Sequence, residues 1–165
     1  MAQITLKGNA INTIGSLPNV GTKAADFFLK TTSLETKSLK DFLGKKIILN
    51  IFPSLDTGTC AASVRAFNKS AAELKNTVVL CISKDLPFAQ ARFCGAEGIA
   101  NVEMLSDFST GDFGKTYELE ITDGPLAYLH SRAVIIIDEK GTITYAEQVP
   151  EISEEPNYEA ALKVM

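Results

Sequence analysis

The sequence is poor in the residues that build metal and disulfide sites. It has three cysteines, Cys60, Cys81 and Cys94, one histidine, His130, and no tryptophan in 165 residues. Three cysteines are too few for a disulfide scaffold in a chain of this length. None stands in a C-x-x-C pair, and with a single histidine a zinc site would have to gather scattered ligands, so no metal is expected. Long runs of one kind are missing too. The formal net charge is −4 with no block of one sign, which argues against nucleic acid and anionic membrane as partners. No segment approaches the roughly 20 apolar residues of a membrane-spanning helix. The opening "MAQITLKGNA" has no apolar core of signal-peptide length, so the expected location is cytoplasmic.

What is present is ordinary for a globular chain: 45% hydrophobic and 22% charged residues. The length suits one domain, residues 1–165, with a proper core. No repeat, low-complexity tract or linker interrupts it. "QITLKGNAINTIG" alternates apolar and polar residues around Gly8-Asn9, which predicts a β-hairpin. "ADFFLKTTSLETKSL" predicts one or two short strands. "KKIILNIF" is a continuous apolar run rich in β-branched residues, which predicts a central strand buried on both faces. After Cys60 the period changes: Val64, Phe67, Ala71 and Leu74 recur at helical spacing, with Arg65, Asn68, Lys69 and Glu73 on the other face. "NTVVLCIS" is the next strand. Pro87 can open a helix that Gly95 can close. "VEMLSDF" is a short strand and loop, "RAVIIIDEKGTITYAEQV" gives two strands around a turn, and "EEPNYEAALKV" a closing helix. A β-α-β-α-β start followed by a hairpin and a helix predicts an α/β, thioredoxin-like fold. Its central mixed sheet is flanked by helices, with the N-terminal hairpin as an addition.

The stretch "NIFPSLDTGTC" holds the main chemical question. A buried strand stops at Pro53, a turn follows, and Cys60 falls at or near a helix start. A thiol there faces unpaired backbone N–H groups and the positive end of the helix dipole, and both favour thiolate over thiol. Thr57 or Thr59 can cap the helix. The plainer reading is a small buried hydrophobe, since cysteine is among the most buried residue types. The turn at the strand's end favours a site, because that is where sites are carried. A dithiol exchanger would need C-x-x-C, and here the spacing reads Thr57-Gly58-Thr59-Cys60.

With those residues in view, "FPSLDTGTCAASVRAFN" resembles the active-site motif of the bacterial thiol peroxidases, which are atypical two-cysteine peroxiredoxins. "VVLCISKDLPFAQARFCGAEG", "DGPL", "RAVIIID" and "EEPNYEAAL" resemble the same family, so the likeness runs over nearly the whole chain. The resemblance implies that Cys60 is the peroxidatic cysteine and that Thr57 and Pro53 are its motif partners. It further implies Arg132 as the second-site arginine and Cys94 as the resolving cysteine. It implies hydroperoxide substrates, an intrachain Cys60–Cys94 disulfide, thioredoxin as reductant, a homodimer, and no cofactor. Closing such a disulfide is expected to require local unwinding that Gly58 and Gly95 could ease.

The other residues carry competing readings. Cys81, inside an apolar strand, reads as packing, with a back-up resolving thiol as its functional alternative. His130 reads as a loop residue, a Cys60–His130 acyl-transfer pair being the sharper alternative. Arg132 alone could be a surface charge at a strand edge. Leu55, Phe88 and Phe93 are candidate walls of a pocket for organic hydroperoxides. Two other functions stay open on the residues: a protein disulfide oxidoreductase, and a non-catalytic peroxide-sensing redox switch.

Overall fold

The structure, a computed structural model, describes residues 1–165. Nine strands are present: β1 (Gln3–Leu6), β2 (Asn9–Asn12), β3 (Phe28–Thr31), β4 (Thr36–Ser38), β5 (Lys46–Ile51), β6 (Thr77–Ser83), β7 (Glu103–Ser106), β8 (Ala133–Ile137) and β9 (Ile143–Gln148). The helices are α1 (Gly58–Ala71), α2 (Pro87–Glu97), α3 (Asp112–Thr116) and α4 (Tyr158–Lys163). β1 and β2 form a separate hairpin, and the other seven strands form one sheet in the order β4-β3-β7-β6-β5-β8-β9. β5, β6 and β7 run parallel through the α1 and α2 crossovers, while β3 and β8 flank them antiparallel. The expected mixed sheet with flanking helices and an added hairpin is what forms.

The reason is legible in β5. Its odd residues Ile47, Leu49 and Ile51 enter one core with Leu80, Ile82, Ile135, Phe113 and Tyr117. Ile48 faces the other way, into a second core with Val79, Val134, Val64 and Phe67. Alternation with apolar residues on both sides is what a strand between two helical layers requires. Burying each such side chain stabilises by about 1.5–3 kcal/mol. The second core, under α1, α2 and α4, also holds Cys60 and Cys81, with Cys94 and Phe93 packed against it.

Three local expectations are corrected. The hairpin turns at Lys7-Gly8 rather than Gly8-Asn9: both residues have positive φ, 50° and 79°, as a two-residue turn that matches strand twist requires. Helix α2 passes through Gly95 and ends at Gly98, whose φ of 65° supplies the left-handed cap. Helix α1 ends at Ala71, so Leu74 of the predicted stripe packs against the core from the following turn.

Candidate active site

β5 and β8 are antiparallel, with Ile51 opposite Ala133. The carboxyl end of β5 and the amino end of β8 therefore meet at one edge of the sheet. Pro53 follows β5 and Arg132 precedes β8, so residues far apart in sequence arrive together. Open α/β sheets place their sites at strand carboxyl ends of this kind.

Phe52 makes the last link to β6, donating its N–H to the Ile82 carbonyl at 3.2 Å; Pro53, which has no N–H, turns the chain away. Thr57 then caps α1 in an extended conformation, and its Oγ1 accepts the Cys60 N–H at 3.4 Å. The Thr57 hydroxyl itself donates to the Ser54 carbonyl at 3.2 Å. Cys60 is thus the third residue of α1, in the turn whose N–H groups lack helical partners.

Cys60 is fully buried and so is Arg132. The Arg132 Nη2 donates to Cys60 Sγ at 3.3 Å and its Nε donates to the Ile152 carbonyl at 2.9 Å. Nη1 has no partner. Arg132 pairs with no carboxylate. A buried cation needs a counter-charge, and the sulfur it faces is able to carry one. The surface-charge reading of Arg132 is therefore set aside. Arg132, Pro53 and Thr57 line a cavity of about 330 Å³ with Leu6, Lys7, Thr59, Leu126, Ile152 and Ser153. Cys60 itself does not line the cavity; Arg132, which holds Cys60 Sγ and keeps one buried donor without a partner, and Thr57 do. That arrangement can orient a small oxygen-rich molecule for attack by sulfur.

The expected apolar walls are replaced. Leu55 is buried in the core, Phe88 is 65% exposed, and Phe93 packs under α2. None lines this cavity; Leu6, Leu126 and Ile152 do. They come from the hairpin and two loops, which no local pattern near Cys60 reveals.

Sequence reasoning also missed two supports. Asp85, two residues past the end of β6, accepts the Ser54 hydroxyl at 2.7 Å, the Leu55 N–H at 2.8 Å and the Ser83 hydroxyl at 2.6 Å. It holds the turn whose Ser54 carbonyl positions Thr57. Behind Cys60, the Ser63 hydroxyl donates to the Cys60 carbonyl at 2.8 Å and Asn50 Nδ2 donates to Ser63 at 3.2 Å. A polar residue inside "KKIILNIF" was the available signal for Asn50.

Cys94 lies within α2, half-buried, and burial pushes its thiol up. It lines a different cavity, of about 520 Å³, between α2 and the β3–β4 turn. All three cysteines are free. Ion pairs at Arg65–Glu97 (3.3 Å) and Arg92–Asp56 (3.7 Å) tie α2 to α1 and to the turn before it.

His130 lies outside the helices and strands, as expected of a loop residue, but it is not at the surface. It is fully buried, its Nε2 lies 2.9 Å from Asp107 Oδ2, and burial holds its imidazole below the usual histidine value despite Asp107. Asp107 also accepts the Phe113 and Gly114 N–H groups at 3.3 and 3.1 Å. This pair anchors the start of α3, and the Cys60–His130 alternative finds no support in it.

Cys81 packs in the sheet between Asn50 and Met104. Burial pushes its thiol up to about 12, with the Asn50 amide acting the other way. At pH 8 roughly one molecule in 10⁴ then carries a Cys81 thiolate. Iodoacetamide at that pH is expected to leave Cys81 unmodified in the native protein and to label it after denaturation. Native labelling of Cys81 at the rate of Cys94, read by peptide mass spectrometry, would refute the packing role.

Comparison with known proteins gives a consistent picture. A family model described as Redoxin matches residues 19–162. Proteins named thiol peroxidase from Mycobacterium tuberculosis and Mycobacterium bovis are 54% identical over 165 residues, covering 100% of this chain and 99% of each relative. Among solved structures, a peroxiredoxin-like protein from Aquifex aeolicus matches with a TM-score of 0.92 at 38% identity, covering 98% of this chain and 95% of that one. A thiol peroxidase from Chromobacterium violaceum matches with a TM-score of 0.91 at 22% identity, over 98% and 94% of the two chains, and bears on the fold alone. No helix is long and apolar enough to cross a membrane.

Proposed function

Because the chain belongs to the redoxin family and is a thiol-dependent peroxidase within it, we propose that Cys60 is the nucleophile and Cys94 the thiol that resolves its oxidised form. The observation that carries this reading is the Arg132 Nη2–Cys60 Sγ bond beside a buried donor with no partner. The Cys60 thiolate attacks the terminal peroxide oxygen. The S–O bond forms as the O–O bond breaks, and the leaving oxygen takes a proton to depart as water or an alcohol. Thr57 orients the peroxide, Pro53 shields the sulfur, and Arg132 faces the charge that passes from sulfur to oxygen. Cys60, now a sulfenic acid, is attacked by Cys94, and a disulfide and water result. A dithiol protein, thioredoxin in this reading, reduces the disulfide by exchange and is itself oxidised.

A disulfide needs Cα atoms within about 7 Å. Cys60 is enclosed in α1 and Cys94 faces a separate cavity. Resolution therefore proceeds through local unwinding of these helices, with the two ion pairs to α2 released. Organic hydroperoxides are the preferred substrates in this reading, supported by the apolar walls Leu6, Leu126 and Ile152. The whole chain acts as one domain in the cytoplasm and pairs as a homodimer; exposed Leu86 and Phe88 offer apolar surface for pairing.

The test uses cumene hydroperoxide with thioredoxin, thioredoxin reductase and NADPH. Wild type is expected to turn over. Cys94→Ser is expected to form one sulfenic acid per chain, trapped by dimedone on Cys60, and to lose recycling by thioredoxin. Undiminished thioredoxin-dependent turnover in Cys94→Ser would remove Cys94 from the cycle.

A further inference from the structure

Glu151 lies outside the cysteine motif, in the segment between β9 and α4, yet its carboxylate is the most heavily bonded acid near the cavity. Oε1 accepts the Lys7 N–H at 2.9 Å, the Ser153 N–H at 3.1 Å and the Ser153 hydroxyl at 2.5 Å. Oε2 accepts the Thr5 hydroxyl at 2.8 Å and the Gly8 N–H at 3.0 Å. Lys7 and Gly8 are the two positive-φ residues of the hairpin turn. Successive N–H groups in such a turn converge into a concavity that suits an anion, and Glu151 fills it. Backbone bonds run alongside: Thr5 N–H to the Pro150 carbonyl at 2.7 Å and Ile152 N–H to the Thr5 carbonyl at 2.9 Å.

The same short segment also reaches the reacting residues. The Ile152 carbonyl accepts Arg132 Nε at 2.9 Å, and the Ser153 carbonyl accepts the Thr59 hydroxyl, at the start of α1, at 2.8 Å. Leu6 and Lys7 from the hairpin, with Ile152 and Ser153, make up much of the wall of the 330 Å³ cavity. Resting on the reading of Cys60 as the nucleophile, we propose that Glu151 is a positioning and specificity-determining residue. It pins the hairpin turn against the Arg132-bearing site and so holds the apolar wall that distinguishes an organic hydroperoxide from hydrogen peroxide.

The Ser153 hydroxyl, then the Gly8 N–H and the Thr5 hydroxyl, hold the Glu151 carboxyl well below the usual carboxylate range, so it stays charged at any assay pH near neutrality. The hairpin has other anchors. Ile4 and Ile11 pack with Ile121 and Ile152, and Asp123 accepts the Asn12 N–H at 2.7 Å and its side-chain amide at 2.8 Å. Loss of Glu151 therefore frees the turn without undocking the strands. A bulky peroxide loses its contact with Leu6. Hydrogen peroxide, too small to reach that wall, does not.

The experiment compares kcat/KM for cumene hydroperoxide and for hydrogen peroxide in wild type, Glu151→Ala, Glu151→Gln and Leu6→Ala, with melting temperatures for each. Glu151→Ala is expected to lower the cumene-to-hydrogen-peroxide ratio about tenfold, the scale on which one apolar pocket contact discriminates substrates. The change should fall on KM for cumene hydroperoxide. Glu151→Gln, which keeps an acceptor, should recover part of the ratio, and Leu6→Ala should reproduce the shift with Glu151 intact. A purely structural role would lower both activities together and leave the ratio alone. An unchanged ratio in Glu151→Gln and Leu6→Ala overturns the proposal even if Glu151→Ala does not fold. A wild type that consumes neither peroxide overturns the underlying assignment as well, and is thereby distinguished from failure of the Glu151 role alone.

Discussion

Cys60→Ser is expected to lose peroxide reduction by roughly 10⁴-fold or more, the scale on which enzymes lose rate when a nucleophile is removed. A serine hydroxyl is a weak nucleophile unless a base takes its proton. No base is in place here. His130, the one imidazole, is bound to Asp107, and the side chain bonded to Sγ is Arg132, a donor without basic character. The variant should still fold. Serine is close to cysteine in size, its oxygen can accept from Arg132 Nη2, and Thr57 still caps the helix through backbone position 60. The cost in stability should be about 1 kcal/mol, typical of point substitutions. Peroxide consumption in the thioredoxin-coupled assay, with a melting curve as control, decides the matter. Activity retained by folded Cys60→Ser would make Cys60 a packed thiol at the end of a turn.

The layers of the fold were readable because they rest on local pattern. "KKIILNIF" and "AVIII" have no polar face to spare beyond Asn50, so both become central strands between two cores. A threonine cap, at Thr57 or Thr59, and the place of Cys60 followed from turn residues and a change of period, and the structure uses Thr57. What was not readable depends on contacts between distant segments. His130 sits in a loop as read, but its burial was not legible because its partner, Asp107, is brought to it only by the fold. Gly95 looked like a helix end, but glycine is tolerated inside a helix whose flanking residues pack, and Gly98 supplied the cap. The pocket walls failed for the same reason as His130. Leu6, Leu126 and Ile152 belong to three segments with no shared pattern, whereas Leu55, Phe88 and Phe93 were merely near the cysteines in sequence. Arg132 was placed by resemblance, and its burial against sulfur needed the antiparallel register of β5 and β8.

Arg132→Met is expected to slow the reaction of Cys60 with peroxide by about 10²–10³-fold, the usual effect of deleting one donor aimed at a developing charge. Methionine fills much of the aliphatic volume of arginine without the guanidinium, so the change removes charge and hydrogen bonds more than packing. Two functions go at once. Nη2 no longer meets Cys60 Sγ, so the sulfur loses a charge-assisted partner. Nη1, the buried donor with no protein partner, is removed from a side chain that lines the cavity. The buried Ile152 carbonyl also loses its Nε donor, which adds a structural penalty of about 1–3 kcal/mol. Stability and reactivity therefore separate: the melting temperature should move by a few degrees, while single-turnover oxidation of Cys60, followed by stopped-flow with hydrogen peroxide and with cumene hydroperoxide, should slow for both. The loss should fall on both substrates alike if, as proposed, Arg132 addresses the O–O group they share and not the apolar remainder. That separates it from the Glu151 variants, whose effect is expected on the bulky substrate alone. A folded Arg132→Met that reacts at the wild-type rate would show that the guanidinium serves packing alone and that other donors carry the charge passing to oxygen.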